Sequence, residues 1–213
     1  MDAIITSLNV HGWRCVVVGG GSVAARRARI LSQAGAKVTV IAPSMDQQLS
    51  QMTLIAHARA YETGDLRDAR LVVIATDDPA LNDRIARDAR DVGALVNRAD
   101  KPEAGDVNFC AQGCTGPVHI GVHTGGISAA AAAAIRDELL DKLDPDWLRL
   151  LDTVAPFRDT IQNQWPNDGD HRRALLRKLT DTRALAILKQ GGPAALAEHC
   201  RRIASGNVNA TTR

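Results

Sequence analysis

Aromatic side chains are scarce in this 213-residue chain: Phe, Trp and Tyr make up 3% of it, with a single tyrosine. That excludes the interleaved aromatic and basic residues on which single-stranded nucleic acids stack, and it leaves any core to be built from aliphatics. Lysine is scarce too, five against 21 arginines. Arginine suits bidentate contacts to carboxylates and phosphates, although an arginine-rich codon usage gives the same bias. Charge of one sign is missing: the net charge is +2, spread evenly, so no field draws the chain to DNA, RNA or an anionic membrane. The four cysteines, Cys15, Cys110, Cys114 and Cys200, are too few and too scattered for a disulfide scaffold, and reduced thiols are expected. No apolar run approaches the roughly 20 residues that span a bilayer, and the opening Met1-Asp2-Ala-Ile-Ile-Thr-Ser7 has no basic stretch ahead of an apolar one. A cytoplasmic protein without a membrane partner is expected.

What is present is ordinary globular material, 45% hydrophobic and 23% charged, around one telling segment. Cys15-Val-Val-Val-Gly19-Gly20-Gly21-Ser22-Val23-Ala24 runs a short β-branched strand into a glycine turn and then into a helix. In this pattern Gly19 allows the tight turn, Gly21 the close approach of a dinucleotide pyrophosphate and Ala24 the close packing of helix on strand, while the helix N-terminus offers unpaired N–H groups. Glycine triplets also occur in plain turns. The strand before and the helix ending near Gly35 are what raise this one above that reading.

Apolar runs alternate with helical patterns through the first hundred residues, the signature of a parallel sheet with crossover helices. Strands are expected at 15–18, 37–41, 71–75 and 94–97, with a weakly marked one near 53–57, and helices at 22–34, 45–51 and 79–92. Asp78 and Pro79 are the N-cap and first residue of the last. Two short strands follow, 109–113 and 118–123, joined by Cys114-Thr-Gly-Pro117, and then an alanine-rich helix with Ser128 as its N-cap. Beyond 145 there are only helical patterns, broken at 165–169 and 191–193, and a polar tail from 205 that is expected to fray. The fold class is therefore α/β, a Rossmann-like parallel-sheet domain followed by a small strand-and-helix element and an all-helical end.

Ligands of such sheets sit beyond the carboxyl ends of the strands. After the second strand stand Ala42-Pro43-Ser44, where an acid for the ribose or an arginine for a 2′-phosphate is expected; Asp46 is the nearest acid and reaches the site only if the loop folds back. NAD and NADP are not distinguished there. Thr76 is placed to line the nicotinamide, while Asp77 and Asp78 read more simply as turn and cap residues. Asp100 lies beyond the fourth strand with no helix behind it to cap, so it is either an exposed loop charge or a functional carboxylate. Cys110, Cys114, His119 and His123 resemble a metal array in spacing, but along an alternating strand His119 and His123 lie too far apart to converge readily on one ion, and no metal site is expected.

The order of motifs resembles the siroheme synthase N-terminal module, the precorrin-2 dehydrogenase family, whose members often also insert iron into sirohydrochlorin. The matching pieces are Val17-Val-Gly-Gly-Gly21-Ser-Val-Ala-Ala-Arg26-Arg-Ala-Arg, Ala34-Gly-Ala-Lys-Val-Thr-Val-Ile-Ala-Pro43, Ile74-Ala-Thr76-Asp-Asp78-Pro-Ala-Leu-Asn82, Leu95-Val-Asn97-Arg-Ala-Asp100 and Thr124-Gly125-Gly126-Ile-Ser128. The resemblance implies an NAD domain at 1–112, dimerisation strands and an Ala-rich helix at 113–145, and a helical domain at 146–213. It implies oxidation of precorrin-2 with NAD in a cytoplasmic homodimer, and leaves Fe²⁺ as a co-substrate open. It places NAD against Gly19, Gly20, Gly21, Ser22, Val23, Ala24, Ala42, Pro43, Thr76, Asp77 and Asn97. Asp100 takes the place of the family's essential aspartate, and the tetrapyrrole is implied to meet Asp100, Lys101, Gly125, Gly126 and Ser128. Arg98, Lys101 and the N–H groups at 126–128 are candidates to receive its carboxylates.

The chain departs from the family pattern at Phe109-Cys110-Ala111, at Ala129, where a proline is usual, and at His119 and His123. These lie on the substrate and dimer side. An NAD-binding regulatory module without catalysis is the alternative class, since this fold hosts many functions.

Overall fold

The computed structural model describes residues 4–52 and 54–206. The chain divides into two compact units, one of Met1–Cys110 with His123–Ala129, the other of Ala111–Val122 with Ala130–Arg213. The segment 113–145, expected as one element, thus contributes to both. Residues 1–3, residue 53 within the weakly marked strand and residues 207–213 of the polar tail lie outside the described residues.

In the first unit β1 (Arg14–Val18), β2 (Lys37–Ile41), β3 (Ile55–His57), β4 (Leu71–Ile74) and β5 (Leu95–Arg98) form one sheet in the order β3-β2-β1-β4-β5. Every pairing is parallel, and Val17 stands opposite both Val40 and Val73. Strand order reverses between β1 and β4, so the crevice for a ligand lies at their carboxyl ends. The central strands β1, β2 and β4 are rich in Val, Ile and Leu because helices cover both faces. α1 (Ser22–Gln33) sets Ala24, Ala25, Ala28 and Leu31 against Val17, Val40 and Val73. On the opposite face α3 (Pro79–Asp91) sets Ile85, Ala86 and Ala89 against Val16, Val72 and Val96. Asp78 caps α3, its carboxylate accepting from the N–H groups of Ala80 and Leu81.

Two expectations shift. The helix expected at 45–51 shrinks to α2 (Gln47–Ser50), because the residues before it form a loop that folds back on the glycine turn. The first strand of the hairpin starts two residues late: β6 (Ala111–Thr115) pairs antiparallel with β7 (Val118–Val122), Cys114 opposite His119, across a turn of only Gly116 and Pro117. Phe109 is unavailable to that strand. It packs on the core of the first unit, with the Arg27 guanidinium 4.4 Å over its ring.

The second unit contains no strand besides that hairpin among its described residues. α4 (Ala129–Asp141) is followed by α5 (Asp146–Gln164), α6 (Gly169–Leu179) and α7 (Thr182–Ala204), the last broken at Gly192 (φ 70°) ahead of Pro193. Leu150, Ile161, Leu175, Leu179, Leu188 and Leu196 form the core shared by α5, α6 and α7. α4 buries only Ala132, while Ile135 and Leu139 on it are exposed. No helix among the described residues is long and apolar enough to cross a membrane.

Candidate functional site

β1 runs into Gly19, whose N–H donates to the Ile41 carbonyl at 3.0 Å while the Val18 carbonyl accepts from Ala75 N–H at 2.9 Å. Gly19 has φ 129°, and a Cβ on it would lie 2.2 Å from the Ala75 carbonyl oxygen; one on Gly20 would lie 1.8 Å from the Ser44 carbonyl oxygen. The fold itself demands these two glycines. Gly21 is different: its φ is −81° and no protein atom lies within 4 Å of a Cβ built there. Its bare Cα serves an approach from outside the chain. Gly21 is also the N-cap of α1, with no side-chain cap and no acid in the first turn, so the first-turn N–H groups at the positive end of the helix keep their affinity for an anion. Gly21, Ser22 and Val23 are exposed and Ala24 is buried. A dinucleotide pyrophosphate fits this cradle.

The loop after β2 closes the turn from one side. Ala42 is buried, its N–H donating to the His57 carbonyl at 3.2 Å, and Pro43 is exposed. The chain then folds back until Asp46 N–H donates to the Gly20 carbonyl at 2.7 Å, while Asp46 Oδ1 accepts from Gln48 N–H at 2.8 Å. Sequence spacing alone left this acid out of reach.

Beyond β4 and β5 a side-chain network joins the two neighbouring loops. Thr76 Oγ1 donates to Asn82 Oδ1 at 2.5 Å and Asn82 Nδ2 donates to the Thr76 carbonyl at 3.0 Å, so this hydroxyl is held by α3; Asp77 is exposed. Arg98, at the end of β5 and 3% exposed, grips the Asp100 carboxylate with both arms, Nε to Oδ1 at 2.8 Å and Nη2 to Oδ2 at 2.6 Å, and its Nη1 donates to Asp83 Oδ1 at 2.7 Å. The Asp100 side chain is 27% exposed. The Arg98 guanidinium, with a smaller contribution from Asn82, holds the Asp100 carboxyl well below the usual carboxylate range against the opposing effect of burial. Arg98 likewise lowers Asp83, and the pair of carboxylates keeps Arg98 firmly charged.

Several assignments change in this light. Arg98 is no open receiver for substrate carboxylates, because its fork is filled by Asp100 and Asp83. Asn97, adjacent on β5 but facing the α1 side, is buried; its Nδ2 donates to the Val107 carbonyl at 2.7 Å and its Oδ1 has no partner among the described residues. In the turn before α4, Ile127 N–H donates to the Thr124 carbonyl and Ser128 N–H to Thr124 Oγ1, so these two are engaged within the turn rather than open to an anion. Gly125 and Gly126 are exposed there, as is Lys101 beyond β5. Among the described residues no three His, Cys, Asp or Glu side chains gather as metal ligands. The thiols are free, and burial pushes Cys15 and Cys200 up to about 11.

Asn82 and the clamping role of Arg98 escaped the sequence reading, yet both left signals. Asn82 falls on the inward stripe of α3 with Ile85, Ala86 and Ala89, where a polar residue needs partners. Arg98 ends a strand buried on both faces, two residues from an acid, a spacing that puts both side chains on one side of an extended chain.

Residues 6–111 match a family model described as "Putative NAD(P)-binding". A siroheme synthase of Pseudomonas putida (strain W619) is 34% identical over 176 residues, 81% of this chain and 38% of that relative. One from Chromobacterium violaceum is 34% identical over 206 residues, 95% of this chain and 44% of the relative. The chain therefore spans less than half the length of these curated relatives. Among solved structures, one titled "SirC, precorrin-2 dehydrogenase" superposes with a TM-score of 0.72 at 22% identity, covering 94% of this chain and all of that one, and so shares the fold.

Proposed function

The chain belongs to the siroheme synthase N-terminal (precorrin-2 dehydrogenase) family, with its NAD(P)-binding domain, and on that premise we propose that it oxidises precorrin-2 to sirohydrochlorin with NAD. One observation carries the reading beyond the kinship: the outward-open Gly21 at the head of α1 shares a compact unit with Asp100, an anchored carboxylate beyond the carboxyl end of a strand of the same sheet.

Gly19, Gly20, Gly21, Ser22, Val23 and Ala24 hold the pyrophosphate, with Ala42 and Pro43 beside the adenosine. Asp46, folded back onto Gly20, supplies the acid that binds a free ribose 2′-hydroxyl and disfavours a 2′-phosphate, which selects NAD over NADP. Thr76, Asp77 and Asn97 border the nicotinamide end. When bound, the nicotinamide supplies an acceptor for the hydride that the macrocycle loses. Departure of that hydride leaves positive charge on the macrocycle and makes an N–H acidic, so a carboxylate facing it, Asp100, favours the step. Lys101 and the exposed Gly126 backbone take acidic substituents of the substrate, with Gly125 and the Ser128 side chain bordering them. The exposed Ile135 and Leu139 of α4 and the hairpin beside it form the face of a cytoplasmic homodimer.

Purified protein given precorrin-2 with NAD or NADP, followed by sirohydrochlorin absorbance and reduced-nicotinamide fluorescence, tests the reading. Turnover with NAD is expected, and Asp46→Ala should narrow the preference over NADP by about tenfold. Fe²⁺ added after the oxidation is complete, with siroheme absorbance as the readout, tests iron insertion separately. NAD binding without turnover makes the chain a binding module, and absence of NAD binding overturns the assignment of the glycine turn.

A further inference from the structure

We propose that Arg98 is a positioning residue: its buried guanidinium fixes Asp100 as a permanent anion, so that Asp100 acts through charge and orientation while the proton released by the substrate passes to water. This rests on the reading of Asp100 as the carboxylate that faces the macrocycle.

Arg98 stands opposite Ile74 in the sheet and beside the apolar core under α3, surroundings in which a guanidinium persists only when paired. Its partners are complete. Both carboxylate oxygens of Asp100 accept from it in a fork-to-fork arrangement at 2.8 and 2.6 Å, and Asp83 braces the third nitrogen from α3 at 2.7 Å. Such paired bonds set direction as well as distance.

The loop that carries Asp100 is pinned as well. Asp106 Oδ2 accepts from Val96 N–H at 3.0 Å, Asp106 N–H donates to the Val96 carbonyl at 2.7 Å, and Arg90 Nη2 donates to the Ala104 carbonyl at 2.7 Å. Around Asp100 the charged groups are Arg98 from β5, Asp83 from α3 and Lys101 from the loop itself, with the neutral Asn82 also on α3. The cation is the directly bonded one, and Asp83 is 56% exposed. A carboxylate so held is a poor resting place for a proton. The balance closes without one: the C–H electron pair leaves as hydride to the oxidised nicotinamide, and the N–H proton of the cationic macrocycle goes to water.

The test titrates the protein labelled with ¹³C at its aspartate carboxyls by NMR, with the Asp100 resonance identified from Asp100→Asn, alongside kcat against pH. Asp100 is expected to stay ionised to below about pH 3 in the wild type and to return to the ordinary range near pH 4 in Arg98→Met. In the same variant kcat should fall about 10²-fold, with NAD affinity and KM nearly unchanged, and Arg98→Lys should recover part of the loss, since it restores the charge but not the fork. If Arg98→Met does not fold, Arg98→Lys gives the same two readouts, with Asp100 titrating between its wild-type position and the ordinary range and kcat falling between those of wild type and Asp100→Asn. A wild-type kcat limb between about pH 5 and 8 that vanishes in Asp100→Asn would overturn the proposal, because the carboxylate would then be taking up the proton. Wild-type kcat in folded Arg98→Met or Arg98→Lys overturns it too. Asp100 titrating normally in the wild type refutes the clamp whether or not turnover occurs, whereas a low-titrating Asp100 in a protein inert toward precorrin-2 refutes the functional reading instead.

Discussion

The glycine turn after β1 and the loop after β5 solve opposite problems with opposite materials. The turn spanning residues 19–24 contains no titratable group and works by leaving side chains out: Gly19 and Gly20 let three strand ends crowd together, and Gly21 leaves the head of α1 bare. The β5 loop works by charge, with a buried arginine and two carboxylates locked together. Recognition of a pyrophosphate needs backbone N–H groups and space, which tolerate little and titrate not at all. Steering a redox reaction needs a charge whose state does not drift, and in this chain that demands a counter-charge behind it.

The contrast breaks most visibly at Gly21. Gly21→Asp puts a good N-cap at the head of α1, so the fold should be kept or slightly stabilised, yet the new carboxylate takes the first-turn N–H groups and the place of the phosphate. Calorimetry should detect no NAD binding. Gly20→Ala at the adjacent position should do the reverse, costing about 3 kcal/mol of stability in urea unfolding because the Ser44 carbonyl blocks the new methyl.

Asp100→Asn comes next in size. It should lower dehydrogenase turnover about 10²-fold while NAD affinity holds. It should also destabilise the fold by about 1–3 kcal/mol, since the buried Arg98 loses a charged partner and keeps a neutral acceptor with Asp83. A variant with unchanged turnover would reduce Asp100 to a structural anchor.

The smallest effect is on the acid limb of stability. Arg98 lowers Asp100 and Asp83 in the folded protein, so their ionised forms stabilise it. That contribution is complete above the unfolded carboxylate value of about 4 and is lost as pH falls through the lower folded values. Urea midpoints between pH 6 and 2.5 should therefore drop more steeply for the wild type than for Asp100→Asn. Parallel curves would mean that the clamp does not couple to folding.

Much of this was legible in the residues. The Val and Ile runs gave β1, β2, β4 and β5 to within a residue or two, because strands buried on both faces have little choice of composition. Asp78-Pro79 marked the start of α3 through the chemistry of its first turn. Gly21 reads from its place in the motif as the glycine for close approach of a phosphate, and no protein atom lies within 4 Å of a Cβ built there. The hairpin register is not legible, because Phe109 has as much β-propensity as any strand residue, and only its packing on the first unit's core beneath Arg27 removes it from the strand. The start of α2 is not legible either, because an apolar-periodic window does not reveal that the residues before it are occupied in closing over Gly20.

The sequence by itself determined the order of strands and helices, the placement of the glycine turn and the kinship with siroheme synthases, since each depends on local pattern and short-range sterics. The tertiary structure alone decided which polar groups meet: that Asp46 returns to Gly20, that Asn82 reaches from α3 to Thr76, and that Arg98 faces inward to Asp100 and Asp83 instead of outward to a ligand. These contacts join residues from different elements, and burying a charge is tolerated only where packing delivers the opposite charge to within hydrogen-bond reach. That condition belongs to the assembled sheet and its helices, and no single stretch of chain contains it.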